Sequence, residues 1–462
     1  MRDQLMTIDL SARWRRLLLL LPVGLVLSGA WFAARWCVAN TVAEWAPDAA
    51  AAQAAARLAP SDPQAHYTLA ELGSRSMQPE NLPQAVREYE LAASLSPHDY
   101  RLWLKLGRAR ELTGDTAAAA GGEKALRRAV ELAPGYADPR WFLGNYLLRQ
   151  GRDAEAFAEL QKAAEINPVR YQGPVLDVAW QLYGGNIEAM LGAMGGTNAL
   201  RAALVDYLLG RQQYDDARRL WQSLDAEQRQ PQRALGEKLQ RALFGQKQFA
   251  AVLDIQRGFG GTSGDTSAAA TVQPSVGALV NGGFEGPVAP PGKSFFDWQV
   301  VPVAQAQINL DERQRHGGAR SLRIIFDATS PLDFRNVSQF VVVEPSARYQ
   351  LEFYVRAEEL KGVSTPLAEV VDAADPARVL AHSAPLQQGT EEWQQVALDF
   401  TTGAQAEGIT VRLNRSPCDA LVCPLFGKVW YDDFTLQRTD GGSGGDGSGG
   451  DSVGRRSSAR VR

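Results

Sequence analysis

The chain has 462 residues, 45% hydrophobic and 22% charged, enough for two or three domains with sizeable cores. A net charge of −4 argues against a basic nucleic-acid platform, and 4 His with 3 Cys leave little material for a His-rich metal centre.

From the N-terminus, the first feature is Leu17–Ala34, "LLLLLPVGLVLSGAWFAA", 18 residues without a charge. As a helix it reaches about 27 Å, close to the hydrocarbon thickness of a bilayer. Arg13, Arg15 and Arg16 precede it, and after Arg35 the next basic residue is Arg57. The positive-inside rule then leaves 1–16 in the cytoplasm, makes 17–36 a transmembrane signal anchor, and places the rest outside. Trp31 and Trp36 fall at the outer interface, with Arg35 reaching the headgroups. A cleavable signal peptide is the rival reading, but its apolar core is normally about 7–15 residues and "CVAN" is a poor cleavage site.

Residues 41–258 carry helical periodicity and an internal repeat. "ARLAP", "ASLSP", "VELAP" and "EINP" end at Pro60, Pro97, Pro134 and Pro168, spacings of 37, 37 and 34. Five residues before each Pro stands an Ala: Ala55, Ala92, Ala129 and Ala163. Leu69-Ala70, Leu106-Gly107 and Leu143-Gly144 follow the first three prolines, and Ala85, Gly122 and Ala156 stand twelve residues before the last three. This pattern resembles the tetratricopeptide repeat, a 34-residue unit of two antiparallel helices. Small residues let the paired helices approach closely, and Pro ends the second one. The three extra residues of each longer repeat are assigned to "RSMQPENL" and "TAAAAGGE", and Gly114 and Gly151 to the interhelical turns. The resemblance implies a solenoid of five to six hairpins whose concave face holds a protein partner.

Residues 259–277 read as a flexible linker and 439–462 as a disordered Gly/Ser-rich tail. Between them, "GPVAPPGKS" imitates a phosphate loop. Five residues separate Gly286 from Gly292 where the motif has four, three of the five are Pro without amide donors, and no helix pattern follows. No nucleotide is expected there.

Over 278–438 the apolar period shifts to two. "SLRIIF", "VSQFVVV", "RYQLEFYVRA", "WQQVALDF", "GITVRLN" and "KVWYDDFTL" read as strands, and eight or nine short strands indicate an all-β sandwich or jelly roll. The series "NGGFE" (281–285), Trp298, "RHGGARSLRI" (315–324), "VEPSARYQLEFYVRA" (343–357), "EEWQQVALDF" (391–400) and "VWYDDFTL" (429–436) resembles the galactose-binding-like jelly rolls that act as carbohydrate-binding modules. The expected fold class is therefore multidomain: a transmembrane helix, an all-α tetratricopeptide-like solenoid, then a jelly-roll sandwich.

That resemblance implies a structural calcium on Glu285 and Asp432, helped by carbonyls near Gly318 and Asp433. Strand alternation places Trp430, Asp432, Phe434 and Leu436 on one inward face, where a carboxylate needs a partner. The alternative partner is Arg320 or Arg323. For sugar, the resemblance implies exposed aromatics that stack on pyranose faces: Trp298, Tyr354 and Trp393, with Arg412 or Asn414 bonding hydroxyls. The competing reading of such aromatics is strand packing.

Cys418 and Cys423 in "SPCDALVCPLFG" have no second Cys pair or nearby His for zinc, and a small-loop disulfide suits an oxidising compartment, the alternative being two free, partly buried thiols. There is no Gly-x-Ser-x-Gly and no His-Glu-x-x-His, and His66, His98, His316 and His382 are scattered without obvious acid partners, so no enzyme is expected. The combined expectation is a single-pass protein of a bacterial inner membrane, its bulk periplasmic. It would serve as a scaffold in extracellular polysaccharide assembly or export. The alternatives are a protein-only scaffold and a glycan-active enzyme.

Overall fold

The computed structural model describes residues 20–75, 79–113, 116–259, 273–288, 290–328, 334–418 and 423–439. Residues 1–19, most of the expected linker and nearly all of the expected tail lie outside them. The contacts divide the chain into two compact units, Met1–Tyr207 and Leu208–Arg462.

The first unit opens with α1 (Leu20–Glu44), the one helix among the described residues long and apolar enough to cross a membrane. Leu25, Val26, Trp31 and Trp36 are exposed along it, whereas Ala39 and Ala43 near its end are buried. Ala43 packs with Ala52, Ala55, Ala65 and Leu69 of α2 (Ala49–Leu58) and α3 (Pro63–Arg75). One continuous helix thus supplies both an exposed apolar rod and a wall of the first small-residue core.

The hairpins that follow pair α3 with α4 (Leu82–Leu95), α5 (Tyr100–Leu112) with α6 (Thr116–Leu132), and α7 (Ala137–Arg149) with α8 (Asp153–Ile166). Ala55, Ala92, Ala129 and Ala163 are all fully buried, as are Ala70, Ala85 and Ala156. At Gly107 and Gly144 an added Cβ would stand 2.6 Å from the Cγ of Leu126 and Leu160, so the small residue there is a steric requirement of close helix approach. Helix α6 has 17 residues where α4 and α8 have 14, which locates one insertion in "TAAAAGGE". The other falls by a short 3-10 turn, Pro79–Asn81, just after the undescribed residues 76–78. Gly151 makes its turn at φ +71°, and Gly114 lies outside the described residues.

A second repeated device joins these helices. The side chain six residues after each of the first three prolines donates back to that Pro carbonyl. The donors are His66 Nε2 to Pro60 (3.0 Å), Trp103 Nε1 to Pro97 (3.0 Å) and Arg140 Nε to Pro134 (3.3 Å). Three residue types thus perform one task at one repeat position, each bond contributing about 1 kcal/mol. Beyond them run α9 (Pro168–Leu182), α10 (Ile187–Met194) and α11 (Asn198–Gly210), and the division between units falls inside α11.

The second unit continues with α12 (Tyr214–Gln222), α13 (Ala226–Arg229), α14 (Arg233–Gly245) and α15 (Phe249–Gly258). Its strands are β1 (Gln299–Val300), β2 (Ala306–Asp311), β3 (Ser321–Ala328), β4 (Val337–Val342), β5 (Arg348–Gly362), β6 (Pro366–Asp372), β7 (Val379–His382), β8 (Gly389–Thr401), β9 (Gly408–Arg415) and β10 (Leu425–Arg438). They form two five-stranded antiparallel sheets, β1-β4-β9-β6-β7 and β2-β3-β10-β5-β8, around one core. All six quoted strand segments are strands. The sheet alternation holds in β5, where Tyr349, Leu351, Phe353 and Val355 face the core.

It fails in β10, and this corrects the expected inward face. The register to β5 shifts between Asp432 and Thr435, and Asp433 sits at φ +52°. The extra residue of this bulge switches parity. Val429 and Tyr431 before it and Phe434 and Leu436 after it line the core, so Trp430 and Asp432 stand on the outer face.

The two outer faces differ. On the first sheet, Phe340 of β4 packs outward against Phe244 of α14 and Phe249 of α15, with ring centroids 5.1 and 5.0 Å away, and Phe244 stacks on Phe295 at 4.8 Å. Gly408 lets the helix come close, since a Cβ there would meet Phe340 at 2.6 Å and Phe249 at 2.9 Å. The Ala250 amide donates to Glu407 at 3.1 Å. The last helical hairpin therefore packs on part of the first sheet's outer face.

Candidate functional site

The outer face of the second sheet carries an aromatic group assembled from three elements. Outward-facing Tyr354 of β5 and Trp393 of β8 meet His316, which arrives on the loop between β2 and β3. The His316 ring lies on Tyr354 at 3.5 Å and 11°, and meets Trp393 edge-on at 5.8 Å. Its Nδ1 is 2.7 Å from Asp433 Oδ2, an ion pair when the imidazole is protonated. Neither partner of that pair is buried; the side chains are 34% and 35% exposed. His316 was not among the sequence candidates. Its signal was the "HGG" that follows, because the two glycines allow the loop to fold down onto carboxylates.

Those carboxylates are the ones singled out for calcium. Asp432 is fully buried, and its Oδ2 accepts from the amides of His316 (2.8 Å) and Gly317 (3.1 Å) while its Oδ1 accepts from that of Asp433 (2.8 Å). Glu285 accepts from the amides of Ala319 (2.8 Å) and Arg320 (3.3 Å). Gly318, at φ +50°, would put a Cβ 1.9 Å from Glu285 Oε1, so any larger residue there would have to push the Glu285 carboxylate aside. Glu285, Gly318, Asp432 and Asp433 do come together, but around amide N–H groups rather than the expected carbonyls. Among the described residues no group of three or more His, Cys, Asp or Glu side chains is placed to hold a metal. Neither arginine pairs with Asp432: Arg320 donates to the Glu285 carbonyl, and Arg323 pairs with Asp311 at 3.0 Å. Burial, then the neighbouring Asp433 charge, raises the pKa of Asp432.

Beside this group lies Trp430, buried on the outer face, its indole N–H donating to Asp311 Oδ2 at 2.9 Å. Burial alone would raise the Asp311 pKa. The Trp430 bond, the Arg313 amide and the Arg323 charge outweigh it and hold the group low.

The other predicted sugar contacts lie elsewhere. Trp298 is 1% exposed, packed on Phe284 and Phe434, with its indole N–H donating to the Asn281 carbonyl at 3.1 Å. It is a core residue and presents no stacking face, which corrects the expectation. Arg412 and Asn414 belong to β9, on the outer face of the opposite sheet. Arg412 is paired with Glu369 at 2.8 Å, and Asn414 Oδ1 accepts from the Arg415 amide. They cannot share one ligand site with Tyr354 and Trp393. The Cys418–Cys423 disulfide is formed, and Arg415 bonds the Cys423 carbonyl; Cys37 is free and exposed.

Fold and site define a class: a helical-repeat region joined to an antiparallel sandwich with one aromatic face. Residues 276–420 match the sequence profile of a carbohydrate binding domain. A crystal structure of MamA resembles the chain at 19% identity and TM-score 0.27, covering 32% of this chain and 83% of that one. A structure described as "CBM4 structure and function" does so at 14% identity and TM-score 0.26, covering 34% and 98%. A third is the Clostridium thermocellum endo-1,4-beta-D-xylanase 10B CBM22-1–GH10 structure complexed with xylohexaose, at 15% identity and TM-score 0.23, covering 36% and 29%. No curated protein matches the chain.

Proposed function

We propose that this is a non-catalytic, membrane-anchored scaffold whose sandwich binds a glycan on the Tyr354–His316–Trp393 face. The observation that carries the reading is this aromatic group on the face opposite the docked helices, within the segment that matches a carbohydrate binding domain. A sugar ring stacks its C–H face on Trp393 or Tyr354, and the polar atoms of His316, Asp433 and Gln395 take its hydroxyls. The helical repeats hold a protein partner, which ties the glycan to a machine for polysaccharide assembly or export outside the inner membrane. Retention of α1 as an uncleaved anchor is supported by the burial of Ala39 on the same continuous helix whose Ala43 packs into the first small-residue core.

The same reading includes a structural calcium at the Glu285–Asp432–Asp433 loop. The Asp432 and Glu285 carboxylates accept from amide N–H groups of residues 316–320, so a calcium there would have to displace those donors; its divalent charge would offset both the burial of Asp432 and its repulsion by Asp433.

The test is affinity electrophoresis of the detergent-solubilised full chain in gels cast with a panel of soluble polysaccharides. Retardation by at least one polymer, lost in Trp393→Ala and kept in Arg412→Ala, is the expected result. Unretarded migration in every gel would sink the glycan reading in favour of a protein-only scaffold.

A further inference from the structure

Strand β8 forms an edge of the second sheet, and on its inward side the apolar pattern breaks. Phe400 and Leu398 face the core, with Val396 packed against it, and the next inward position is Gln394, an exposed amide paired in register with Val355. Opposite it stands the chain from His382 to Gln387, leading out of β7, an edge of the first sheet. Between them lies a slot of about 500 Å³, within the size range of ligand pockets, floored by Val355, Ala357, Val396 and Leu398.

The mouth of this slot is made of neutral polar groups. Gln394 donates to Glu391 at 3.0 Å, while Gln387 and Gln395 make no side-chain hydrogen bond among the described residues. His382 donates from Nδ1 to the Ser383 carbonyl, which leaves Nε2 as an acceptor in the neutral ring. Glu391 and Arg356 add one charge of each sign. Amides that donate and accept over an apolar floor suit a hydroxyl-rich, uncharged ligand and give an anion no advantage.

The slot also adjoins the aromatic face. Trp393 and Gln395 point outward from β8 and Gln394 points inward, and Gln395 and Arg356 line the slot from the outer side. Among the described residues no strand lies beyond β8 in its sheet, so nothing in the sheet blocks a path from one side of the edge to the other.

We propose that this intersheet slot is a second glycan subsite, continuous with the Trp393 face, and that it makes the domain select extended neutral chains over short ones. The proposal rests on the glycan reading above. A chain long enough to stack on Trp393 and cross the edge fills both places, whereas a dimer fills only one.

Calorimetric titration of the solubilised full chain with cellobiose, cellohexaose, xylobiose and xylohexaose tests it. One hexamer is expected to bind at least tenfold more tightly than its dimer. Gln394→Leu restores the inward apolar pattern, so it is expected to keep or raise Tm while removing most of that advantage. Gln387→Ala, on the opposite wall, is expected to do the same without touching β8. Equal binding of dimer and hexamer, or an unchanged hexamer advantage in both variants, would overturn the slot and leave the Trp393 face standing. No binding of any probe by the unaltered chain would overturn both.

Discussion

The two outer faces of the sandwich are built by the same alternation and end differently. On β4 the outward Phe340 meets Phe244 and Phe249 of the last helical hairpin, and the apolar ring is covered. On β5 and β8 the ring that the outward Tyr354 and Trp393 meet among the described residues is His316, and the group keeps polar edges and partial exposure. An aromatic on a sheet surface is thus informative only through what faces it. A second hydrophobic layer makes it core, and a polar neighbour with room beside it makes it a platform.

The sharpest way to break this comparison is to remove the covered ring. Phe340→Ala deletes a 7%-exposed side chain with three ring contacts from helices and loop, and is expected to cost about 3–4 kcal/mol in urea unfolding of the full chain. A loss below about 1 kcal/mol would mean that the hairpin does not cover the sheet in solution. Next in size is Asp432→Ala, which leaves the buried-side amides of His316, Gly317 and Asp433 without their acceptor. We expect about 2–3 kcal/mol, together with release of His316 from Tyr354, readable as altered ring shifts by NMR. A variant of unchanged stability and spectrum would show that the loop is held by other contacts.

The open face gives a smaller and different effect. Trp393→Ala is expected to change stability by less than about 1 kcal/mol and to weaken glycan binding about tenfold, or about 1.4 kcal/mol. A stability loss comparable to that of Phe340→Ala would make Trp393 a packing residue instead. The smallest effect concerns calcium. Because burial and Asp433 raise its pKa, folded Asp432 holds its proton more tightly than unfolded Asp432. Its contribution is therefore present at acid pH and is lost as pH rises through the raised value. Bound calcium favours the charged form and opposes that loss. Chelation is accordingly expected to lower Tm by a few degrees at pH 7 and by less at pH 4, and equal melts at both would remove the ion.

The helical region was the more legible in sequence because its constraint is steric and repeats. Ala55, Ala92, Ala129 and Ala163 announce close helix contacts wherever they fall. The Pro-carbonyl bonds were hidden because His66, Trp103 and Arg140 share a function without sharing chemistry. In the sandwich, strand positions followed from period two, but the β10 bulge moved Asp432 to the other face, and no alternation rule carries across an extra residue. Trp298 was misplaced for a related reason: a Trp near the domain entry reads alike whether it caps the core or faces a ligand. His316 was overlooked because its acid partner, Asp433, is 117 residues away.

The α1 helix has a mechanical corollary. Ala39 and Ala43 lie on the same unbroken helix as Trp31 and Trp36, with no Gly or Pro between Ala30 and Ala43 to act as a swivel. Turning the apolar rod about its own axis must turn the first repeat with it. A torque applied by a partner on that repeat is then felt at the other end of the helix, and the joint behaves as a shaft rather than a tether.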